Sequence, residues 1–564
     1  MKKIYLLPIL FALCACGSNS SISSSVSTST SSSSNSISSS SNISTTSTTT
    51  SVNTTTSSSS VDKYKNVLNK DLQCILNETK DGYIIYKYLK YDRNIRLPET
   101  FSGLFDHKYD NDNKGWHFDV YSGNSMYDEN VLTLPIVGIL DNAFQSSGGV
   151  ENIYFGDSYV EFEHSAFFGC TTIKNYEVSK THPLFKSIDG VLYTKDGEGL
   201  FAYPLGRRDT YNVVDGTKKI LSESFQYSNV VEVNIPESVE EIGSYAFSNA
   251  KRLKKINIPS KVQEIKEETF STCIELKTIN FSEGLEKIGY NAFWQCEKIN
   301  ALNFPTSLRE IGVSAFEGVG SSTSGIKDLV FSEGLEYIGD FAFAYNEYIE
   351  TITFPTTLKT IGKYAFMQNY RTEEIVLNEG LKVLEEGAFF YNLNLRKVTF
   401  SSTLEEIGFN AFATSETNPI HDGIEEYIVP NESNHFKNVD GVVYSKDGKE
   451  LVIAPAGLTY ENGHYTVLDG TEKIKDHAFY NSVNLRSITF PNSLKEIGKA
   501  PFFLSNLKSI SYLGTMDEFG LIKTVDEIFT SDNSTDVLKV KWYQTSDYVS
   551  ISTVTCSDGV LKLF

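Results

Sequence analysis

One hexapeptide, Ile-Gly-x-x-Ala-Phe or a close variant, keeps returning along this chain. Its closing phenylalanines are Phe144, Phe167, Phe225, Phe247, Phe270, Phe293, Phe316, Phe343, Phe366, Phe389, Phe412, Phe479 and Phe502. Eight of the twelve intervals are 23 residues and one is 22. A fixed period in that range marks a solenoid, in which each unit buries its apolar face only against its neighbours. Such a fold presents an extended, repetitive surface, which points to binding before catalysis.

The repeat from Phe270 to Phe293 shows how one coil is written. Its apolar positions are Cys273, Leu276, Ile279, Phe281, Leu285, Ile288, Ala292 and Phe293. The alternation Ile279-x-Phe281 predicts a short strand with one buried face. Gly284, Gly334 and Gly380, or Pro259, Pro305 and Pro355, punctuate the exit from that strand. Leu285-x-x-Ile288-Gly289 then opens a second short extended or helical-turn segment, closed by Ala292-Phe293.

The fuller pattern Leu-x-x-Ile-x-Phe-Pro-x-x-Leu-x-x-Ile-Gly-x-x-Ala-Phe resembles the BspA-type leucine-rich repeats of bacterial surface proteins. The run from Leu485 to Gly498 matches it almost position by position. The resemblance spans about 144 to 514 and implies a mainly β fold: a leucine-rich-repeat solenoid of roughly 23-residue parallel coils with N- and C-terminal caps. Two departures from the period are alike, Phe185 to Gly197 and Phe436 to Gly448. Lys195-Asp196-Gly197 and Lys446-Asp447-Gly448 lie between apolar runs, so both are expected as β-hairpin interruptions. Turn chemistry accounts for these aspartates better than a ligand role.

The ends divide differently. Residues 1–15 read as a signal peptide, with Lys2-Lys3 ahead of the apolar run Ile4 to Leu13. Leu13-Cys14-Ala15-Cys16 resembles the bacterial lipobox, which implies lipidation of Cys16 and a membrane anchor. Residues 17–60 hold 34 Ser or Thr among 44 positions and no charge, so 16–60 is expected to be a disordered tether. Its root-mean-square reach is about 35–40 Å. Residues 61–134 are expected to form an N-terminal cap with an insertion at 104–133, residues 135–514 the solenoid, and 515–564 a C-terminal cap. There, Ile510 to Phe519 resembles the closing Tyr-x-Gly-Thr segment of the family.

Formal net charge is -21, or -23 without Lys2 and Lys3, which disfavours nucleic acid and anionic membrane surfaces as partners. Beyond the signal, Cys74, Cys170, Cys273, Cys296 and Cys556 form an odd set. Three fall three residues after a motif phenylalanine, where other repeats carry Asn, Ser or Ala, so buried structural thiols are expected. A Cys273–Cys296 bond on adjacent coils is conceivable but not predicted. Asp110-x-Asp112-x-Lys114-Gly115 begins like a calcium loop, but Lys114 fills a ligand slot and Tyr121 replaces the closing Glu. No metal or cofactor is expected, and the eight scattered histidines join no catalytic motif. A non-catalytic role follows, although a site assembled from distant residues stays open.

Aromatics supply the candidate surface. Tyr245, Phe341 and Tyr364 share one variable repeat column, and Tyr345 and Tyr391 share another. Variable columns should lie outside the core, where these rings either line a contact face or form ladders between coils. Glu240-Glu241, Glu385-Glu386 and Glu405-Glu406 read as solvated exterior. The expectation is a lipid-anchored protein of the bacterial cell surface whose repeats bind an extracellular protein or glycan, as an adhesin. The alternative is a non-catalytic structural or scaffold protein of the cell envelope.

Overall fold

The computed structural model describes residues 64–77, 81–104, 109–110, 115–116, 131–140, 142–144, 149–159, 161–162, 164–320, 324–413, 423–524, 529–531, 538–540, 553–556 and 559–562. The expected signal peptide, Cys16, the tether and most of the 110–121 loop lie outside these residues. The rest is a mainly β solenoid. Each coil contributes two short strands and one turn to three ladders running along the stack.

The first ladder comes from the predicted Ile-x-Phe strands. Thr278–Asn280 buries Ile279 and exposes its neighbours, and it pairs in parallel with Lys255–Asn257. The second is the Leu-x-x-Ile segment, whose Ile-Gly half is extended. Glu264–Ile265, Lys287–Ile288, Glu310–Ile311, Tyr337–Ile338, Thr360–Ile361, Val383–Leu384 and Glu406–Ile407 form a seven-stranded parallel sheet. Isoleucine or leucine meets its counterpart at every step, so recurrence in sequence becomes contact in space.

The third side is the turn carrying the motif phenylalanine, and its backbone explains the spacing. From Phe225 to Phe389, and at Phe479 and Phe502, the residues two before and two after the phenylalanine are left-handed: Tyr245 (φ 60) and Asn249 (φ 58) around Phe247, for example. Between the two left-handed residues, successive N–H groups point alternately to the next coil and back into the turn. Tyr245, Phe247 and Asn249 donate to Glu267, Thr269 and Ser271 of the next coil at 3.1, 2.8 and 2.8 Å. Ala246, Ser248 and Ala250 donate within their own turn, to Gly243, Tyr245 and Phe247. Every buried amide of the turn is satisfied without a regular strand.

Beneath this turn the rings stack. From Phe225 through Phe412, nine motif phenylalanines lie 4.7 to 5.7 Å apart with planes within 12° of parallel. A second column, Phe281, Phe304, Phe331 and Phe354, meets the first edge-on. The position three residues after each motif phenylalanine has its own logic. The Cys273 and Cys296 thiols lie 3.1 and 3.2 Å from the carbonyl oxygens of Phe247 and Phe270, one coil back. Asn346, Asn369 and Asn392 donate Nδ2 to Phe316, Phe343 and Phe366 in the same way. Cys and Asn interchange there because each is a small side chain that reaches the same carbonyl, while Ala250 and Val319 fill the position with apolar groups alone. Cys74, Cys170, Cys273 and Cys296 are buried and free, and burial pushes the thiols up, so they stay protonated.

Both expected hairpins are present. Phe185–Ile188, Val191–Thr194 and Gly199–Ala202 form one, and Phe436–Val439, Val442–Ser445 and Glu450–Ile453 the other. Asp196 and Asp447 cap their turns, accepting from Thr194 and Glu198 N–H, and from Ser445 and Lys449 N–H. The buried core divides into three clusters at these two hairpins.

At the N-terminus, parallel pairing reaches back to Lys65–Asn66, which lies beside Asn94–Arg96, itself beside Asn152–Phe155. A third hairpin, Leu72–Leu76 with Tyr83–Tyr88, joins the stack there. At the other end Ser509–Tyr512 pairs with Ser487–Phe490, and Phe519, 3% exposed, closes over Tyr512 at 5.4 Å.

Replacing one mid-ladder ring should be costly because both neighbours lose a packing face. Phe293→Ala is expected to destabilise the stack by about 3–5 kcal/mol in chemical denaturation. A loss below about 1 kcal/mol would show that the rings are not packed in one column.

Candidate interaction surface

The five aromatic candidates all stand on the left-handed turn positions: Tyr245, Phe341 and Tyr364 two residues before the motif phenylalanine, Tyr345 and Tyr391 two after. The column is variable because the turn fixes a backbone conformation and not a side chain. Glu223, Glu268, Asn291, Ser314, Gly387, Asn410 and His477 occupy equivalent left-handed positions. Each L-residue there costs about 1–2 kcal/mol relative to right-handed backbone, offset by the bonds to the next coil.

These side chains leave the core, as the sequence implied, but only partly. Tyr345 is 41% exposed, and the other four are half-buried. Phe341 stacks on Tyr364 with centroids 5.2 Å apart and planes at 17°. The Tyr364 ring also covers Gly387 of the following coil, where a Cβ would lie 2.3 Å from it. Its hydroxyl donates to Glu386 at 2.7 Å, and burial together with that bond pushes the phenol up to about 12. Tyr391 packs edge-on against Tyr370 at 5.8 Å. Tyr345 and Tyr391 are two coils apart, with Gln368 at the intervening position. Tyr245 lies four coils from Phe341, beside Glu267, Glu268 and Tyr290, and joins no cluster with the others.

Four further residues belong to this face and were not singled out from the sequence. Tyr370 and Phe390 flank Tyr391 and Tyr364. Arg371 places its guanidinium 3.8 Å from the Tyr348 ring centre, a cation–π contact between the same column of adjacent coils. That shared offset, five residues after Phe343 and Phe366, was available as a signal.

Charged columns surround the aromatics and are used between coils. Glu240 meets Lys218 and Lys261, Glu241 meets Lys219 and Lys266, Glu386 meets Lys363, and Glu405 meets Lys382. These pairs are largely exposed, so they set register more than stability. Glu237, Glu283, Glu333 and Glu379 accept from backbone N–H groups of the next coil's Ser260, Thr306, Thr356 and Ser402.

A double-mutant cycle on Phe341→Ala and Tyr364→Ala should return a coupling of about 0.5–1.5 kcal/mol in denaturant unfolding. Strict additivity would mean that the two rings do not support each other.

The comparisons follow this geometry. A family model described as BspA type leucine-rich repeat region, six copies, matches residues 130–189, 218–326, 321–438 and 462–539. No curated protein sequence matches the chain significantly. Among solved structures, a leucine-rich repeat protein from Bacteroides ovatus is similar at 17% identity, over 81% of this chain and 98% of that one, with a TM-score of 0.41. A leucine rich cell surface protein from Faecalibacterium prausnitzii is similar at 18% identity, over 80% of this chain and 96% of that one, with a TM-score of 0.35. Scores this low leave the assignment to the repeats themselves. No helix among the described residues is long and apolar enough to cross a membrane. With the family model covering well over half of its length, the chain belongs to the BspA-type leucine-rich repeat proteins.

Proposed function

We propose that this chain is a lipid-anchored surface protein whose repeat domain binds an extracellular protein or glycan as an adhesin. The observation that carries the reading is the aromatic face of Phe341, Tyr345, Tyr364 and Tyr391, raised on turn positions that the core does not need, with Tyr370 packed against Tyr391. Rigid aromatic area at low side-chain entropy is the usual currency of recognition. Repetition adds to it, since several weak contacts on one rigid stack raise avidity without a single strong site. The strongly acidic composition suits a partner with basic surface.

In this reading lipidated Cys16 holds the protein to the membrane and the Ser/Thr tether lets the repeats search. Cys16→Ser should release the protein into the medium; continued membrane retention would contradict the anchor. A purified 61–564 fragment should bind extracellular-matrix proteins, glycans or bacterial cells saturably. Replacing Phe341, Tyr345 and Tyr364 together by Ala should weaken that binding at least tenfold with folding intact. Absence of any saturable binding would favour an envelope scaffold.

A further inference from the structure

Three hairpins enter the stack at the same point of the coil, and they differ at one buried residue. Their last strands join the next coil through Ile85 beside Ile139, Leu200 beside Ile220, and Leu451 beside Ile474. Three residues later stand Tyr88, Tyr203 and Ala454. Each donates its backbone N–H to the residue before the next motif phenylalanine: Ala143 at 2.9 Å, Ser224 at 2.8 Å and Ala478 at 2.7 Å. Phe247 makes that same bond to Thr269, so all three residues occupy rungs of the phenylalanine column.

Two of them supply a ring. Tyr88 lies 5.4 Å from Phe144, and Tyr203 stacks on Phe225 at 4.8 Å. Ala454, 4% exposed, supplies only a methyl group, and its surroundings shrink with it. Val452 and Ala456 stand where the other hairpin has Phe201 and Leu205. The result is a cleft of about 240 Å3 between the coils of Phe412 and Phe479, lined by Tyr427, Ala454, Ala456, His477 and Tyr480 among others.

Its size and chemistry select an occupant. An apolar cavity of about 150 Å3 already accepts benzene, so this one accommodates a ring with a substituent. Part of the wall is aromatic: Phe409 meets His477 edge-on at 5.6 Å, and His477 lies parallel to Tyr480 at 5.6 Å. Charged and polar residues share the wall with these rings: Glu406, Asn410, Lys473, Lys475 and Asp476. The Tyr427 side chain, 4% exposed, lies on this wall. His477 Nδ1 is engaged by Asn410 Oδ1, the equivalent turn residue across the hairpin, which leaves Nε2 as an acceptor. Burial holds this imidazole neutral by lowering its pKa.

We propose that this cleft binds one planar aromatic ring carrying a hydrogen-bond donor, as in a phenol or an indole, and that the ring completes the rung where Ala454 offers a methyl group. The ring can arrive as a free small molecule or as a Tyr or Trp side chain of a polypeptide; the chemistry of the cleft is the same. This inference does not rest on the adhesive reading above.

The test uses the full-length protein, titrated with free indole and p-cresol, and with an unstructured Gly/Ser peptide bearing a single Trp or Ala. The free rings should bind saturably with a Kd on the order of 0.1–1 mM. Ala454→Tyr, which copies Tyr203, and Ala456→Leu, which copies Leu205, should each weaken binding at least tenfold, and Ala454→Tyr should raise Tm. Binding of the Trp peptide with the same sensitivity assigns the ring to a protein partner; binding of free rings alone assigns it to a small molecule. No saturable binding by either, binding that both variants leave unchanged, or a lowered Tm in both variants overturns the proposal.

Discussion

Everything in this molecule depends on one coil's turn being covered by the next. The motif phenylalanine is buried only because the ring above and the ring below lie about 5 Å away, as between Phe270 and Phe293 or Phe293 and Phe316. The turn that carries it has no strand partner in the ordinary sense, yet three of its N–H groups bond to the following coil. Left-handed residues two before and two after the phenylalanine supply two of those three donors. The strain of Tyr245, Glu268 or Phe341 in that conformation persists because the neighbouring coil over-determines it. Interior and backbone are thus held by the same nearest-neighbour contacts, as in any quasi-one-dimensional protein.

What the sequence reveals follows from this. Positions under a narrow constraint are legible: phenylalanine in the ladder, isoleucine or leucine in the second strand, and a small side chain such as Cys273 or Asn369 beneath the preceding carbonyl. The left-handed columns were visible only as variability, since Glu, Asn, Ser, Tyr, Gly and His all serve there. Which neighbouring rings touch could not be read either. Phe341 and Tyr364 share a column and stack, whereas Tyr345 and Tyr391 share one and are separated by Gln368. The hairpin of Leu72–Leu76 and Tyr83–Tyr88 carries no motif, because Tyr88 replaces the phenylalanine and the 23-residue period is absent there.

The hairpins are where the stack acquires individuality. Between them, coils differ mainly at turn residues and paired charges, which change the surface and leave the interior alone. At a hairpin the buried rung itself becomes variable: tyrosine at 88 and 203, alanine at 454. A surface of many similar coils therefore contains a few sites of distinct shape, and the division of the core at these points marks them.

Amide hydrogen exchange resolved to single residues tests the stacking most directly. The account predicts that the slowest amides recur once per coil at the motif phenylalanines, Phe247, Phe270, Phe293, Phe316, Phe343 and Phe366, whose N–H groups bond across coils beneath a covered ring. Exchange at those amides as fast as at the exposed hairpin tips around Lys195 and Lys446 would contradict it.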